Sequence, residues 1–229
     1  MAATVVQRAG NDTYYGGTSL STTLGATPTV GNTLVLVASG MGASPHTVTG
    51  PSGWTAGPSA NNYDFIGIWT KVAGASESTT VTTTFVTNLC CIMLVYEIAG
   101  LTGSIDKSAT CGTLGTGITS LPSGTTATLA QATELAVVGA TFAAAAGDLI
   151  TARSGGYVRQ DERANLTAHS YLDVGFLSTA STAAQSCTLT LSPYDDGPAA
   201  IIATFPLVVS SVFDQSLIRQ QAVNRSYTY

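Results

Sequence analysis

The sequence predicts an all-β protein built as an antiparallel β-sandwich, and three observations lead to this fold class. Charged residues make up only 9% of the 229-residue chain, whereas hydrophobic residues make up 45%. Valine and threonine, which favour strands, recur along the whole length of the chain. Clusters of glycine, proline, asparagine and serine interrupt the apolar segments at short intervals, as is typical of sandwiches and barrels.

The predicted strands are short and numerous. Turn clusters such as GNDTYYGG, GPSGW and GASES separate them, and the body of the chain has no segment of ten or more residues with helical periodicity. The segments predicted as strands are 3–8, 18–24, 33–39, 46–49, 63–73, 79–86, 90–99, 125–129, 134–143, 169–178, 186–192 and 199–209.

Two parts of the chain, 30–100 and 134–209, repeat one order of elements. In the first, NTLVLVASG precedes a turn with Trp54, two further strands and the apolar run CCIMLVYEIAG. In the second, ELAVVGATF precedes a turn with Tyr157, two strands and PAAIIATFPLVV. We therefore expect two related four-stranded units that pack into one sandwich over 1–209, because each has an apolar face to bury. Residues 102–126 are predicted as the surface loop that joins them.

Cys90 and Cys91 are neighbours within the most apolar run of the chain. Neighbouring residues of a strand point to opposite faces, so this pair cannot hold one ion, and Cys111 and Cys187 lack the CxxC spacing of zinc sites. We expect all four to pack as small hydrophobic residues, with no metal and no cofactor. Four cysteines allow three disulfide connectivities, among which the sequence does not choose, and synthesis in a cytosol favours free thiols.

Catalytic motifs are missing from the sequence, which contains no GxSxG, no GxGxxG, no P-loop and no HExxH. His46 and His169 are each isolated in polar stretches and are interpreted as structural. The acidic pairs at 161–162 and 195–196 are interpreted as solvated turns. We therefore expect no catalytic residue and no enzymatic activity.

Charge and hydropathy exclude other classes of partner. The net charge is −5, and no cluster of lysine and arginine is present, so we expect no binding to nucleic acid. The longest unbroken apolar run, LCCIMLVY, is far shorter than the roughly 18 residues of a membrane helix. The chain begins MAATVVQRAG, without the basic and apolar regions of a signal peptide. These features predict a protein made in a cytosol and not inserted into a membrane.

Aromatic residues in polar loops indicate a carbohydrate-binding surface as one alternative, because exposed rings stack on sugar faces. Trp54 and Trp69, which adjoin predicted strands, are interpreted as core residues instead. Glu97 lies in an otherwise apolar strand and is expected to accept hydrogen bonds from loop amides or from Trp54. The tyrosines in glycine-, asparagine- and aspartate-rich loops are Tyr14, Tyr15, Tyr63, Tyr157 and Tyr194.

The segment 210–229 differs in composition from the rest of the chain, since it is rich in glutamine and contains no glycine or proline. We predict a short helix or arm, with Ser210 or Ser211 as its cap and Asp214 in its first turn. Apolar side chains concentrated in a terminal segment indicate docking on a neighbouring subunit. The residues expected to form this assembly arm are Phe213, Leu217, Ile218, Arg219, Tyr227 and Tyr229.

The order of motifs resembles a β-sandwich module that recurs in phage virion proteins and some bacterial surface proteins. The matching stretches are Gly31-Asn32 to Val37, Gly53-Trp54, Trp69 to Ala73, and Val95 to Gly100 with Asp106. Tyr96-Glu97 stands in the reverse of the order that the module has. The resemblance implies a jelly-roll-like fold and a virion or cell-surface role, and it implies no catalytic residue.

These observations together favour a non-enzymatic structural protein of a phage virion, acting in capsid decoration or as a fibre or tail accessory. It would be made in the host cytoplasm and assemble with other virion subunits as a homo-oligomer or symmetric array. The alternative is a carbohydrate- or receptor-binding module that faces the host surface.

Overall fold

The computed structural model describes residues 2–14, 17–41, 48–61, 64–85, 90–111, 118–143, 150–167, 169–192 and 197–209. These residues form β-strands and no helix, which confirms the predicted all-β class. The strands of the first half are β1 (Thr4–Thr13), β2 (Ser19–Thr23), β3 (Thr33–Met41), β4 (Val48–Thr49), β5 (Thr55–Asn61), β6 (Phe65–Val72), β7 (Thr80–Phe85) and β8 (Cys90–Ala99). Those of the second half are β9 (Ser108–Thr110), β10 (Ser120–Thr125), β11 (Glu134–Ala143), β12 (Ile150–Arg153), β13 (Val158–Asn165), β14 (Ser170–Ser178), β15 (Ser186–Leu191) and β16 (Ala199–Pro206).

The second half repeats the strand order of the first half. In the first unit the sheets run β1-β8-β3-β6-β5 and β2-β7-β4, and in the second they run β9-β16-β11-β14-β13 and β10-β15-β12. All pairings are antiparallel. This is the order of a jelly roll, except that β5 and β13 join the five-stranded sheets. Each unit has eight strands rather than the expected four, and each forms its own sandwich.

The four sheets stack in layers, with the two five-stranded sheets in the middle. One apolar cluster fills the space between the sheet of β2, β4 and β7 and its five-stranded partner. The other extends from the opposite face of that partner through the second unit. Strands β3, β8, β11 and β16 are therefore covered on both faces and are buried along nearly their whole length. Burial on both faces explains their unbroken apolar sequences.

A local two-fold axis relates the two units. Strand β1 contacts β13, and the corresponding strands β9 and β5 contact each other. In the same way β8 contacts β14, and the corresponding strands β16 and β6 contact each other. At the axis, Leu101 and Leu207 form an antiparallel bridge. The Thr102 amide donates to the Pro206 carbonyl at 2.9 Å, and the Val208 amide donates to the Gly100 carbonyl at 2.8 Å. The chain therefore packs like an isologous dimer within one polypeptide.

Several edge strands differ from the prediction. Strands β5, β9, β12 and β13 were not predicted, and β10 occupies Ser120–Thr125 rather than 125–129. Strand β5 contains glycine and proline, and β13 has the charged sequence VRQDERAN. Segment 102–126 was predicted as a surface loop, which is wrong because it contains β9 and β10. The predicted arm, 210–229, lies outside the described residues. Within the described residues, no helix is long and apolar enough to cross a membrane.

Gly139 of β11 faces the five-stranded sheet of the first unit at close range. A β-carbon on Gly139 would lie 3.0 Å from Val37 Cγ1 and 3.1 Å from Ile66 Cδ1. Both neighbours are fully buried side chains of the other unit. A larger side chain at this position would therefore press against the first unit.

Gly139→Val is expected to lower the free energy of unfolding by about 1–3 kcal/mol, because extra methyl groups overpack the interface between the units. The measurement is chemical denaturation. Gly74→Val is the control, because a β-carbon there would meet only Glu77 Oε2, at 4.0 Å. Equal stability of the two variants would contradict the close approach of the sheets.

Candidate functional site

The candidate functional site is the seam where the edges of the two five-stranded sheets meet. Strand β1 lies against β13 on one side of the molecule, and β5 lies against β9 on the other. We call these the β1–β13 seam and the β5–β9 seam. The local two-fold axis relates them, so each backbone arrangement occurs twice with different side chains.

Ion pairs join the two strands of the β1–β13 seam. Arg163 Nη2 lies 2.7 Å from Asp12 Oδ1, and Asn165 Nδ2 donates to Asp12 Oδ2 at 2.9 Å. Arg8 Nε lies 3.4 Å from Asp161 Oδ2, and the Arg8 guanidinium also donates to the carbonyl of residue 160. Such partly exposed pairs contribute little stability each, but they specify the register of the two edges. Asp161, predicted in a solvated turn, is instead part of this strand pairing.

Every lysine and arginine among the described residues is engaged in an ion pair. Besides the pairs at the seam, Lys71 Nζ lies 2.8 Å from Glu77 Oε1, and Lys107 Nζ lies 2.7 Å from Asp106 Oδ1. Arg159 Nη2 lies 2.9 Å from Glu162 Oε2. The described surface therefore has no lysine or arginine without an acidic partner.

A groove runs along each seam. The β5–β9 groove, of about 510 Å³, is lined mainly by small and polar residues, among them Thr55, Thr70, Ser104, Asp106 and Ser108. The β1–β13 groove has a similar volume, about 500 Å³, but is lined by larger apolar residues, including Val5, Leu135, Val158, Phe176 and Leu177. The two grooves are equivalent in position and different in chemistry.

Asp106 lines the polar groove and lies close to the buried Glu134. It accepts hydrogen bonds from Lys107 Nζ at 2.7 Å and from the Ala130 amide at 2.7 Å. Burial favours the protonated form, but these bonds lower the pKa of Asp106 below its ordinary value. The pKa of Glu134 is raised, first by burial and also by the charge of Asp106. Asp106 is therefore the ionised partner of the two and holds the turn before β11.

In the first unit, Glu97 holds the turn before β3, as Asp106 holds the turn before β11. It is fully buried and accepts hydrogen bonds from Gln7 Nε2 at 2.6 Å, from the Thr29 amide at 2.9 Å and from Asn32 Nδ2 at 2.5 Å. Burial alone would raise the pKa of Glu97, but the three donors lower it. The predicted loop-amide donors are confirmed at Thr29, whereas Trp54 is not a donor to Glu97.

Another buried carboxylate, Asp173, lies inside the sandwich of the second unit. Its side chain has no exposed surface and forms ion pairs with Arg153 and with Arg159, whose Nε lies 3.0 Å away. The corresponding strand of the first unit, β6, instead has Phe65 and Trp69 in an apolar cluster. No feature of the sequence indicated this charged cluster.

The predicted glycan-binding tyrosines are not assembled into one surface. Tyr14 is 49% exposed and follows β1. Tyr157 is only 6% exposed, so the expectation of an exposed ring at this position is wrong. The two flank opposite ends of the β1–β13 seam, since β1 and β13 run in the same direction there. The remaining candidates, Tyr15, Tyr63 and Tyr194, lie outside the described residues.

Both tryptophans pack in the apolar core of the first sandwich, as predicted. Trp69 is 7% exposed and belongs to the apolar cluster of the first sandwich, against which the half-buried Trp54 packs. Phe65 lies beside Trp69, with ring centroids 6.1 Å apart.

The four cysteines are buried and none forms a disulfide. Cys91 packs in the first sandwich with Met93, whereas Ile92 faces the second unit. Cys90 and Cys91 therefore point to opposite faces, which confirms the predicted geometry. Burial raises the pKa of the Cys90 thiol to about 11 and that of Cys187 to about 11, so neither is a thiolate nucleophile at neutral pH.

Potential metal ligands are dispersed in the described part of the chain, where no group of three or more His, Cys, Asp or Glu residues could hold an ion. His169 is exposed in the turn before β14 and has a positive φ of 54°. His46, Asp195 and Asp196 lie outside the described residues.

In comparisons with known proteins, the chain matches no family model, no curated protein and no solved structure. The resemblance to virion modules therefore stays an interpretation of the sequence motifs. Any functional assignment rests on the chain's own residues and geometry.

Asp173→Asn is expected to destabilise the protein by about 3–5 kcal/mol, because it leaves two guanidinium groups facing a neutral, buried partner. Asp161→Asn is the control at a partly exposed pair and should cost less than about 1 kcal/mol. Chemical denaturation at neutral pH measures both. Similar small losses in both variants would show that the buried cluster contributes no more than a surface pair.

Glu97→Gln is expected to lower the free energy of unfolding by about 1–3 kcal/mol at pH 7, since an amide replaces the carboxylate acceptor of three donors. The folded-state pKa of Glu97 is lowered, so its stabilising contribution is complete above the unfolded-state pKa and is lost as the pH falls through the folded-state value. The difference between wild type and variant should therefore shrink in acid. Urea denaturation from pH 7 down to pH 3 measures this difference, and a constant difference would contradict the assignment.

Proposed function

We propose that the protein is a non-enzymatic structural protein of a phage virion, acting in capsid decoration or as a fibre or tail accessory. The observation that carries the proposal is the pair of jelly-roll units packed back to back by a local two-fold axis. Jelly rolls build many viral capsid proteins. This support is an analogy at the level of the fold, and it agrees with the sequence motifs that resemble virion modules.

The outermost sheets suit such a role, because they present short hydroxyl side chains. On the outer face of β2 and β7, Ser21 Oγ lies 2.7 Å from Thr82 Oγ1, and Thr23 Oγ1 lies 3.3 Å from Thr80 Oγ1. Short side chains lose little conformational entropy on contact. In this proposal, these hydroxyl-bearing faces pack against neighbouring subunits.

The attachment element in this proposal is the segment 210–229. Strand β16 ends at Pro206, and the chain then exposes Val208 (42%) and Val209 (71%). The apolar residues predicted for the arm follow directly. The protein would be synthesised in the host cytoplasm and would join other virion subunits through this segment.

Deleting 211–229 tests the proposal. We expect a soluble, folded β-protein that no longer joins the particle, as measured by quantitative mass spectrometry of purified virions. Incorporation of the truncated chain at normal copy number would place the attachment surface on the sandwiches. Absence of the full-length chain from purified virions would overturn the virion assignment itself.

A carbohydrate- or receptor-binding module is the second candidate, and the exposure of Tyr14 favours it. The hydroxyl-lined β5–β9 groove adds donors and acceptors that suit sugars. Tyr14→Ala should abolish binding in a glycan-array assay, whereas Tyr14→Phe should retain it because the ring remains. Failure of the wild-type chain to bind any glycan would eliminate this candidate.

A further inference from the structure

We propose that the β5–β9 groove binds a neutral saccharide of one or two sugar units, whose hydroxyl groups bond to Asp106, Thr55 and Ser108. The inference rests on the second candidate function, a carbohydrate-binding module, but it assigns a site that does not depend on Tyr14. The observations that carry it are the unused hydroxyl groups of the groove, the balance of its charges and the irregular edge of β5.

The groove has hydrogen-bonding groups that the protein itself leaves unused. Thr55 of β5 and Ser108 of β9 are exposed and line the groove, and their hydroxyls bond to no described residue. Ser104 Oγ lies 3.5 Å from Thr102 Oγ1, which is at the limit of a hydrogen bond. Because a hydroxyl both donates and accepts, the two walls of the groove offer donors and acceptors to a ligand.

Asp106 gives the groove a charged acceptor. Burial favours the protonated acid, but hydrogen bonds from Lys107 Nζ and from the Ala130 amide, each 2.7 Å long, lower the pKa of Asp106. The carboxylate is therefore charged at neutral pH. A carboxylate has about four acceptor positions, so these two donors and Glu134 leave it able to accept a further hydroxyl. Such a charge-assisted bond is stronger than one between neutral groups.

The charges of the groove favour a neutral ligand. None of the residues that line it is lysine, arginine or histidine, so a phosphate or carboxylate ligand would find no cation there. A cationic ligand would have to displace Lys107, whose Nζ lies 2.7 Å from Asp106 Oδ1. An apolar ligand would remove Asp106 and the hydroxyls from water without giving them a partner, which is unfavourable. A neutral ligand rich in hydroxyl groups avoids all three costs.

The edge of β5 is irregular, which favours a saccharide over an extended peptide. The register of β5 against β6 shifts between Ala56 and Ser59, and Pro58 has no amide hydrogen to donate. Ile105 also lies over this edge, since a β-carbon on Gly57 would be 2.4 Å from Ile105 Cδ1. A peptide strand therefore could not form a regular backbone ladder here, and recognition falls to the side chains.

The dimensions of the groove set the size of the ligand and its affinity. A volume of about 510 Å³ lies in the range of small-molecule pockets and accommodates one or two sugar rings. Ile105 forms an apolar part of the wall, against which the C–H face of a ring packs. The lining residues include no aromatic ring, so we expect a dissociation constant on the order of 1 mM. Such a complex dissociates during the washing of a glycan array and has to be measured in solution.

The test follows the backbone amide shifts of the isotope-labelled full-length chain by NMR during titration with glucose, galactose, mannose, N-acetylglucosamine, maltose and lactose. At least one of these saccharides should shift the amides of residues 55–57 and 104–108 in a saturable manner. Ala56→Leu should weaken this binding at least about tenfold, because Ala56 is exposed in the groove and a larger side chain would fill it. Ala152→Leu is the matched control, since Ala152 is exposed on β12 and lies outside the groove, and it should bind as the wild type does.

A second pair of variants tests the hydroxyl groups without changing the shape of the groove. Thr55→Val combined with Ser108→Ala should weaken binding at least about tenfold, because two hydrogen bonds to the ligand are lost. Ser19→Ala combined with Thr84→Val removes two exposed hydroxyls of the outer sheet and should have no effect.

Three results would overturn the inference. They are the absence of saturable groove shifts with all six saccharides, equal affinity of Ala56→Leu and Ala152→Leu, and loss of the groove shifts in Tyr14→Ala. Array binding that requires Tyr14, without any shift in the groove, would leave the second candidate function standing while this inference fails. Groove shifts that persist in Tyr14→Ala would support the groove as a separate site.

Discussion

The contact between the two five-stranded sheets is the interaction on which the rest of the structure depends. It buries a second face of strands β3, β8, β11 and β16, which are already covered by the outer sheets. Apolar burial on this scale is the main favourable term in folding. At this contact Gly139 leaves room for Val37 and Ile66 of the other unit at close range.

Packing the central sheets brings their edges together, and this accounts for the distribution of charge. Edge strands have unpaired backbone groups and are commonly protected by charged side chains. In β1 and β13 these charges face one another as ion pairs between Asp12 and Arg163 and between Arg8 and Asp161. Four charged side chains thus pair between the units, and the outer face of β2 and β7 presents serine and threonine.

The duplicated backbone supports different chemistry in its two copies. The interior of the first sandwich holds Phe65 and Trp69, whereas the second holds Asp173 with Arg153 and Arg159. The two seam grooves differ in the same way, one lined by hydroxyl groups and the other by apolar side chains. The central interface joins the two units, and the outer sandwiches and grooves built on the same strand order differ in their side chains.

The sequence by itself determined the all-β class, the repeated order of elements and the central strands, because residues buried on both faces form apolar runs that are recognisable without any neighbour. It also determined the opposite orientations of Cys90 and Cys91, which follow from strand geometry alone. Only the tertiary structure decided that VRQDERAN is a strand, that Tyr157 is buried and that each unit has eight strands. Edge strands and buried ion pairs are stabilised by residues distant in sequence. The local sequence of such a strand therefore does not show which residues will pair with it.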